Sequence, residues 1–427
     1  MERREFVAAT AAAALTPGLL KAHSALAGFT PQQTADGGFD AGLLAQQAAG
    51  ARADAGPSPQ QAPPTLTPAI FAERRSRAQE EMARRGFDLL VATPSTNFQY
   101  LVGANPGRSE RLIALILPRA GEGVIVAPSF EVERVRRSGT MGIIRGWEED
   151  RDPFALAARV ASALRPSGRM AMEPTTDYGT YLRFAEALPR HRVVSAGPVF
   201  ERLRIVKQPV ELDLIRRAVR ITEEAIAATF PQLREGMSER EASQIVARET
   251  AQRGGAGGGM VQFGPNSSLP HGSPEVRRLQ PGQPVLMDCG ARAEGYTSDI
   301  SRTQWFGGEP PERFKQAYNT LFAAQSAALA VCRPGVSCQD LDRAARRVIR
   351  EAGFGEYFTH RLGHGMGMEG HEPPYLVEGN TLALEPGMVT TIEPGIYIPG
   401  EWGCRTEDNI VVTAEGVEVL SQRVAPI

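Results

Sequence analysis

Asp288, Asp299, His364, Glu393 and Glu407 stand in the last third of a chain of 427 residues, in an order and spacing that let five side chains hold two metal ions side by side. Asp288 and Asp299 bound the segment DCGARAEGYTSD, His364 lies in HRLGHGMGMEGHEPP, Glu393 in TIEPG and Glu407 in CRTEDN. Carboxylates and an imidazole are donors suited to Mn, Co or Zn used in pairs, with carboxylates bridging and a water between the ions. The histidine distribution points the same way. Of six histidines, His360, His364 and His371 fall in one of these segments and His271 in NSSLPHG, not far before Asp288, which leaves His191 and His23 elsewhere. Histidines scattered through a core would not cluster in this way. The metal is not held by sulfur: Cys289, Cys332, Cys338 and Cys404 form no C-x-x-C pair. Cys289 and Cys404, beside the acidic residues, are expected to be small buried packing residues.

The elements that must position these groups fall into two blocks. Thr67-Pro68 reads as an N-cap followed by proline at the first helical position, opening a helix that runs to Gly86. The runs FDLLVAT, RLIALILP, GVIVAP, MGIIRG, RMAME and HRVVSA then alternate with helical or turn segments, which predicts a mixed α/β sheet domain over residues 67–204. A long amphipathic helix is expected from about Arg202 to Phe230, entered at Gln208-Pro209, leading into a second domain over 205–427.

That second domain contains a weak internal repeat. Gly236-Met-Ser-Glu-Arg-Glu is echoed at Gly335-Val-Ser-Cys-Gln-Asp, each a serine N-cap with an acid three residues on, and each helix reaches a glycine, Gly254 or Gly353. PGQPVLMDCG parallels PGMVTTIEPG, which puts Asp288 and Glu393 in equivalent places. Two αβ half-domains facing their acids inward around a pseudo-twofold axis would build a dinuclear site. The glycine run GGAGGGM over 254–260 lacks the lysine and following helix of a phosphate loop and reads as a flexible connection; Tyr296 reads as a packing residue.

With these residues in place, the chain over about 67–427 resembles the creatinase and Xaa-Pro peptidase family. The resemblance is carried by VKQPVELDLIRRA, NSSLPHG, MDCGARAEGYTSDISRT, RLGHGMGMEGHEPP, TIEPGIY and CRTED. It implies a creatinase-type N-terminal domain followed by a pita-bread catalytic domain, and hydrolysis of the Xaa-Pro bond in dipeptides or peptide N-termini by a metal-bridging hydroxide. Two divalent ions per chain are implied, with Mn first and Co or Zn as alternatives. Asp299 and Glu407 would bridge, Asp288 would complete one ion, and His364 with Glu393 the other. Glu393 would serve as general base, and His271 and His371 would contact the substrate and its developing oxyanion. His360 and Arg405 would bind substrate, the alternative for Arg405 being an ion pair that fixes a ligand. Ser301, where the family often has threonine, and the Cys404-Arg405-Thr406 lead into Glu407 are departures. A metal-dependent hydrolase of a small non-peptide amide is the alternative activity, and the resemblance implies a homodimer or homotetramer.

The formal net charge of -2, with arginine and acid intermixed, gives no basic stripe, so nucleic acid is excluded as a partner. No run approaches the roughly 20 apolar residues of a membrane span. The N-terminus carries Arg3-Arg4, an alanine-rich apolar run and Ala25-Leu26-Ala27, which reads as a twin-arginine-like leader over 1–27 and predicts a periplasmic or extracellular protein. Residues 28–66, rich in Ala, Gln and Pro, read as a disordered linker.

Overall fold

The computed structural model describes residues 65–427. The leader expected over 1–27, and all but the last two residues of the linker expected over 28–66, lie outside the described residues. The described residues all fall in a single compact unit.

Helix α1 (Pro68–Arg85) begins at the expected proline, with Thr67 extended before it, although the Thr67 side chain makes no capping bond. The six apolar runs become β1 (Leu89–Ala92), β2 (Ala114–Pro118), β3 (Val124–Pro128), β4 (Ile144–Trp147), β5 (Gly168–Met172) and β6 (His191–Ser195). Helices α2 (Thr96–Val102), α3 (Val132–Ser138), α4 (Pro153–Leu164) and α5 (Tyr178–Ala187) connect them. They form one six-stranded sheet in the order β4-β3-β2-β1-β5-β6, antiparallel at β1–β2 and β2–β3 and parallel elsewhere. Strands β1, β2 and β3 are buried along their whole length, which is why they read as unbroken apolar runs.

The single long helix expected over 202–230 is two helices, α6 (Gly197–Ile205) and α7 (Pro209–Thr229). The Pro209 ring disfavours helical geometry at Gln208, which is extended at ψ 157°, and the Glu211 carboxylate accepts the Gln208 N–H at 2.8 Å. Between the helices the chain pairs with the second half of the protein, Lys207 donating its N–H to the Gly387 carbonyl at 2.9 Å.

The repeat is visible in the backbone. The first half continues with α8 (Glu239–Gln252), β7 (Ala256–Phe263), β8 (Gln283–Ala293), β9 (Tyr296–Thr297) and β10 (Ile300–Phe306). The second is α9 (Glu312–Val331), α10 (Cys338–Glu351), β11 (Gly363–Gly365), β12 (Glu372–Leu376), β13 (Val389–Ile392), β14 (Gly395–Ile398), β15 (Trp402–Arg405), β16 (Asp408–Val412) and β17 (Val417–Val419). At equivalent places Gly236 N–H donates to Leu279 O at 2.8 Å and Gly335 N–H to Leu384 O at 2.9 Å, and the isolated bridges Ser238–Arg278 and Ser337–Ala383 correspond. Both serine hydroxyls donate to the acid three residues on, at 2.6 Å, but only Ser238 also accepts that residue's N–H, at 3.2 Å. One sheet has the order β10-β8-β7 with β9 on β8, the other β12-β11-β13-β16-β17, and β14 and β15 form a ribbon.

The glycine run is not a flexible connection. Strand β7 is paired with β8 from Ala256 opposite Arg292 to Phe263 opposite Val285. A Cβ on Gly257 would lie 2.2 Å from the Gly290 carbonyl oxygen and one on Gly259 2.3 Å from Cys289 Sγ, so these glycines let two backbones and a buried thiol approach closely. The largest apolar cluster runs from Phe98 and Leu101 through Leu214 on α7 to Met287 on β8 and Met366. It makes the N-terminal sheet domain and the first half-domain share packing. A second cluster, including Phe314, Leu341, Ile392 and Ile410, fills the second half.

Candidate metal centre

Each of the five candidate ligands leaves the end of a strand or the middle of a paired one. Asp288 lies on β8 opposite Ser301 of β10. Asp299 immediately precedes β10, and its main chain is gripped by Asn409, whose Oδ1 accepts the Asp299 N–H at 3.1 Å and whose Nδ2 donates to the Asp299 carbonyl. His364 is the centre of β11, Glu393 follows β13, and Glu407 joins β15 to β16.

These placements converge. Donor atoms of Asp288, Asp299 and Glu407 lie within 4.8 Å of one another, and so do those of His364, Glu393 and Glu407. Glu407 therefore belongs to both triads. A third triad of the same span joins Asp299, His364 and His371. His364 Nδ1 lies 3.1 Å from the Gly365 carbonyl, which can only accept, so that nitrogen carries the proton. Its Nε2 lone pair then faces Glu393 Oε1 at 3.2 Å and Asp299 Oδ2 at 3.8 Å. Thr391 ties the pair together, accepting the His364 N–H at 3.1 Å and donating to Glu393 Oε1 at 3.2 Å.

The electrostatics show what is wanted between these groups. Burial, then the neighbouring Glu407, Asp288 and Glu393 charges, pushes the Asp299 carboxyl well above its usual range. Burial first, with Glu393 and Asp288 next, raises Glu407, and burial raises Glu393 against the opposing charge of Arg405. Four carboxylates drawn into triads of donor atoms no more than 4.8 Å apart, with an imidazole lone pair among them, are unfavourable as they stand and favourable around divalent cations. The donor set is hard and oxygen-rich with one nitrogen, which fits Mn, Co or Zn.

A family model described as metallopeptidase family M24 matches residues 213–414, and one described as the creatinase/prolidase N-terminal domain matches 74–206. An uncharacterized peptidase of Staphylococcus aureus is 36% identical over 352 residues, covering 81% of this chain and 98% of its own. The chain belongs to metallopeptidase family M24. The crystal structure of a dipeptidase from Mycobacterium ulcerans superposes with a TM-score of 0.79 at 36% identity, over 84% of this chain and 97% of that one. That of a prolidase from Thermococcus sibiricus gives 0.78 at 31% identity, over 85% and 99%. This M24 chain is thus a peptidase, with a creatinase-type N-terminal domain and a pita-bread domain.

One expectation is overturned by these comparisons. The relatives are matched over 97–99% of their own length by 81–85% of this chain, so the proteins it resembles are accounted for without a counterpart of the Arg3-Arg4 segment. Export by a twin-arginine-like leader to a periplasmic or extracellular location is corrected accordingly. Among the described residues no helix is long and apolar enough to cross a membrane.

The surroundings of the M24 centre also revise two roles. Arg405 is not an open cation for substrate. Its Nη2 pairs with Asp288 Oδ2 at 2.6 Å, its Nε donates to Ser301 Oγ at 2.8 Å and its Nη1 to Tyr397 OH at 3.0 Å, with the side chain 4% exposed. It forms an ion pair with the candidate ligand Asp288, which is the arrangement expected of its alternative role. His360 has both ring nitrogens engaged within the protein, Nδ1 with the Arg361 carbonyl at 2.7 Å and Nε2 with Tyr397 OH at 2.8 Å, and burial pushes its pKa down to about 4. His271 and His371 remain on the exposed side, the latter with its ring 4.0 Å from that of His364.

Several residues were missed as site components or underrated. Ser301 donates to Glu407 Oε2 at 2.6 Å and sits 3.3 Å from Asp288 Oδ1, so the position flagged as a departure joins ligands of both triads. Tyr397, in the quoted TIEPGIY, links Arg405 to His360. Asn409 has no sequence signal beyond its place in CRTEDN. Tyr296 is not mere packing: its hydroxyl accepts from Arg74 Nη2 at 2.7 Å and donates to Glu211 Oε1 at 2.7 Å, tying α1 to α7 three residues before Asp299. Cys289 and Cys404 are buried free thiols, as expected.

Proposed function

We propose that the chain hydrolyses the Xaa-Pro bond of dipeptides or peptide N-termini with two divalent ions held by Asp288, Asp299, His364, Glu393 and Glu407, Mn being the first candidate and Co or Zn the others. The observation that carries this is the membership of Glu407 in two separate ligand triads, one all-carboxylate and one containing the His364 imidazole. We take residues 205–427 as the catalytic domain, 67–204 as the N-terminal domain, and the working form as a homodimer or homotetramer. When bound, such ions supply Lewis acidity to the scissile carbonyl and lower the pKa of water toward neutrality.

The protein's own residues perform the rest. Glu393, with one oxygen steadied by Thr391, is placed to accept a proton from the attacking water and return it to the departing nitrogen. The proline nitrogen is a tertiary amide and must gain a proton to leave. His371, pushed down to about pKa 4 first by burial and then by His364, is neutral near pH 7 and can donate a hydrogen bond to the carbonyl oxygen as it gains charge. His271, on the same exposed side, is assigned the substrate contact. Arg405 and Ser301 hold Asp288 and Glu407 in place.

The test is to chelate the purified protein, reload it with Mn, Co or Zn, and assay Xaa-Pro dipeptides, longer Xaa-Pro peptides and non-proline controls beside the Glu407→Gln variant. Metal-restored cleavage before proline that is lost in the variant is expected. Absence of such cleavage with every metal, despite two ions bound per chain, would overturn the reading.

A further inference from the structure

Asp408 directly follows Glu407 in the sequence, yet it belongs to none of the donor triads of the centre. It is 1% exposed, and both of its oxygens are taken up by other groups. Oδ1 accepts from Arg302 Nη2 at 2.8 Å and from Ser421 Oγ at 2.6 Å, and Oδ2 accepts from Gln325 Nε2 at 2.8 Å. These donors come from three separate places: Arg302 lies on β10, Gln325 on α9 and Ser421 in the C-terminal tail after β17.

Each of the three also grips a ligand-bearing stretch of main chain. Arg302 Nη1 donates to the carbonyl of Glu407 itself at 2.7 Å, while its Nη2 reaches the Gln422 carbonyl at 2.7 Å. Gln325 Nε2 donates to the carbonyl of Ile392 at 3.2 Å, the residue before Glu393 and the one paired with Asp408 between β13 and β16. Ser421 Oγ accepts the Asn409 N–H at 3.2 Å, and Asn409 is the residue whose side-chain amide holds both main-chain groups of Asp299. The backbones that carry Asp299, Glu393 and Glu407 therefore converge on one buried carboxylate.

The chemistry of that carboxylate suits the task. An ionised acid only accepts, and every contact made to Asp408 supplies a donor. The planar fork of Arg302 spans Asp408 and the Glu407 and Gln422 carbonyls at once, which a compact ammonium does not. A buried ion pair adds little net stability, because desolvation offsets its attraction, so stability is a poor account of this one. What it supplies is a fixed direction for three segments that meet at the centre.

We propose that Asp408 is a positioning residue for the metal centre: acting through Arg302, Gln325 and Ser421, it sets the spacing of Asp299, Glu393 and Glu407 from outside the ligand shell. The proposal rests on the two-ion reading above and deepens it. The C-terminal tail, through Ser421 and Gln422, becomes part of the frame that holds the ions.

The experiment titrates Mn calorimetrically into the chelated full chain of wild type, D408N, R302K and S421A. The urea midpoint of each metal-free form is measured alongside, with kcat and KM on an Xaa-Pro dipeptide at limiting and at saturating Mn. In D408N an amide N–H must face one of the three donors, and R302K keeps the ion pair but loses the fork. Both are expected to bind Mn about 10- to 100-fold more weakly, the range for groups that orient metal ligands, and S421A to show a smaller loss of the same kind. Excess Mn should restore kcat, with KM for the peptide unchanged. A merely structural role would lower the urea midpoint and leave the Mn affinity of the folded protein as it was. That result in R302K and S421A overturns the assignment, and these two variants decide it if D408N does not fold. A wild type that binds no Mn, Co or Zn overturns the two-ion reading and this assignment with it, whereas one that binds ions without cleaving the peptide overturns the substrate reading alone and leaves the titration to decide.

Discussion

Replacing Tyr296 by phenylalanine removes one oxygen from a site where nothing else changes shape. That oxygen accepts from Arg74 and donates to Glu211, both at 2.7 Å, and both charged side chains are almost fully buried, at 0% and 3% exposure. Hydrogen bonds to charged groups contribute about 1.5–3 kcal/mol each. The loss is not the sum of two, because Arg74 Nη2 already lies 3.5 Å from Glu211 Oε1 and can close to a direct bond once the hydroxyl is gone. A net cost of about 2 kcal/mol follows, with Arg74 still donating to Gln208 Oε1 and the Tyr100 carbonyl. The assay is a double-mutant cycle of Tyr296→Phe with Arg74→Met, read by urea denaturation of the metal-free protein. A coupling of about 1–2 kcal/mol is expected, since Met retains most of the packing volume. Coupling below about 0.5 kcal/mol would refute the account of Tyr296 as a polar bridge and return it to the packing role that its sequence context suggests.

Further expectations concern the centre and its frame. Ser301→Ala removes bonds to Glu407 and from Arg405, and should weaken Mn binding by about 10- to 100-fold in calorimetric titration while leaving the far-ultraviolet dichroism unchanged. Gly257→Ala places a Cβ 2.2 Å from the Gly290 carbonyl oxygen at a φ of 146°, and should abolish soluble expression or cost at least about 3 kcal/mol, whereas Gly416→Ala, with open space around it and no left-handed backbone to strain, should leave the fold intact. Glu372 is buried, which alone would raise its pKa, yet Lys207 and Arg204 hold it below its usual 4.5. The unfolded state then binds the proton first, so this group stabilises the fold above about pH 4.5 and loses that contribution as pH falls through the folded value. Stability of wild type should therefore drop more steeply between about pH 5 and 3 than that of Glu372→Gln, and parallel curves would exclude this ion cluster as an acid-sensitive element.

The legibility of this protein in its sequence follows from which features depend on local order. The five candidate ligands were readable because an acid flanked by strand formers and glycine has few structural uses, and because the half-domain repeat places Asp288 and Glu393 at matching strand ends. The six N-terminal strands were readable because burial on both faces leaves an apolar run with no polar alternation. Pro209 was visible as well, and its steric demand on Gln208 was enough to divide the helix that periodicity alone joined.

The rest depended on neighbours distant in the chain. A glycine run has the same composition whether it wanders or lies flat against a partner strand, and only the approach of β8 decides for pairing at Gly257 and Gly259. Arg405 and Arg361 are equal cations in the sequence. In the fold Arg405 is surrounded by Asp288, Ser301 and Tyr397, from three different segments, while Arg361 meets a ring and no acid. Residue types and their order thus determined which chemistry the chain carries. Tertiary structure decided which charges are neutralised inside the protein and which are not, because ion pairing depends on distance through space and the sequence records distance only along the chain.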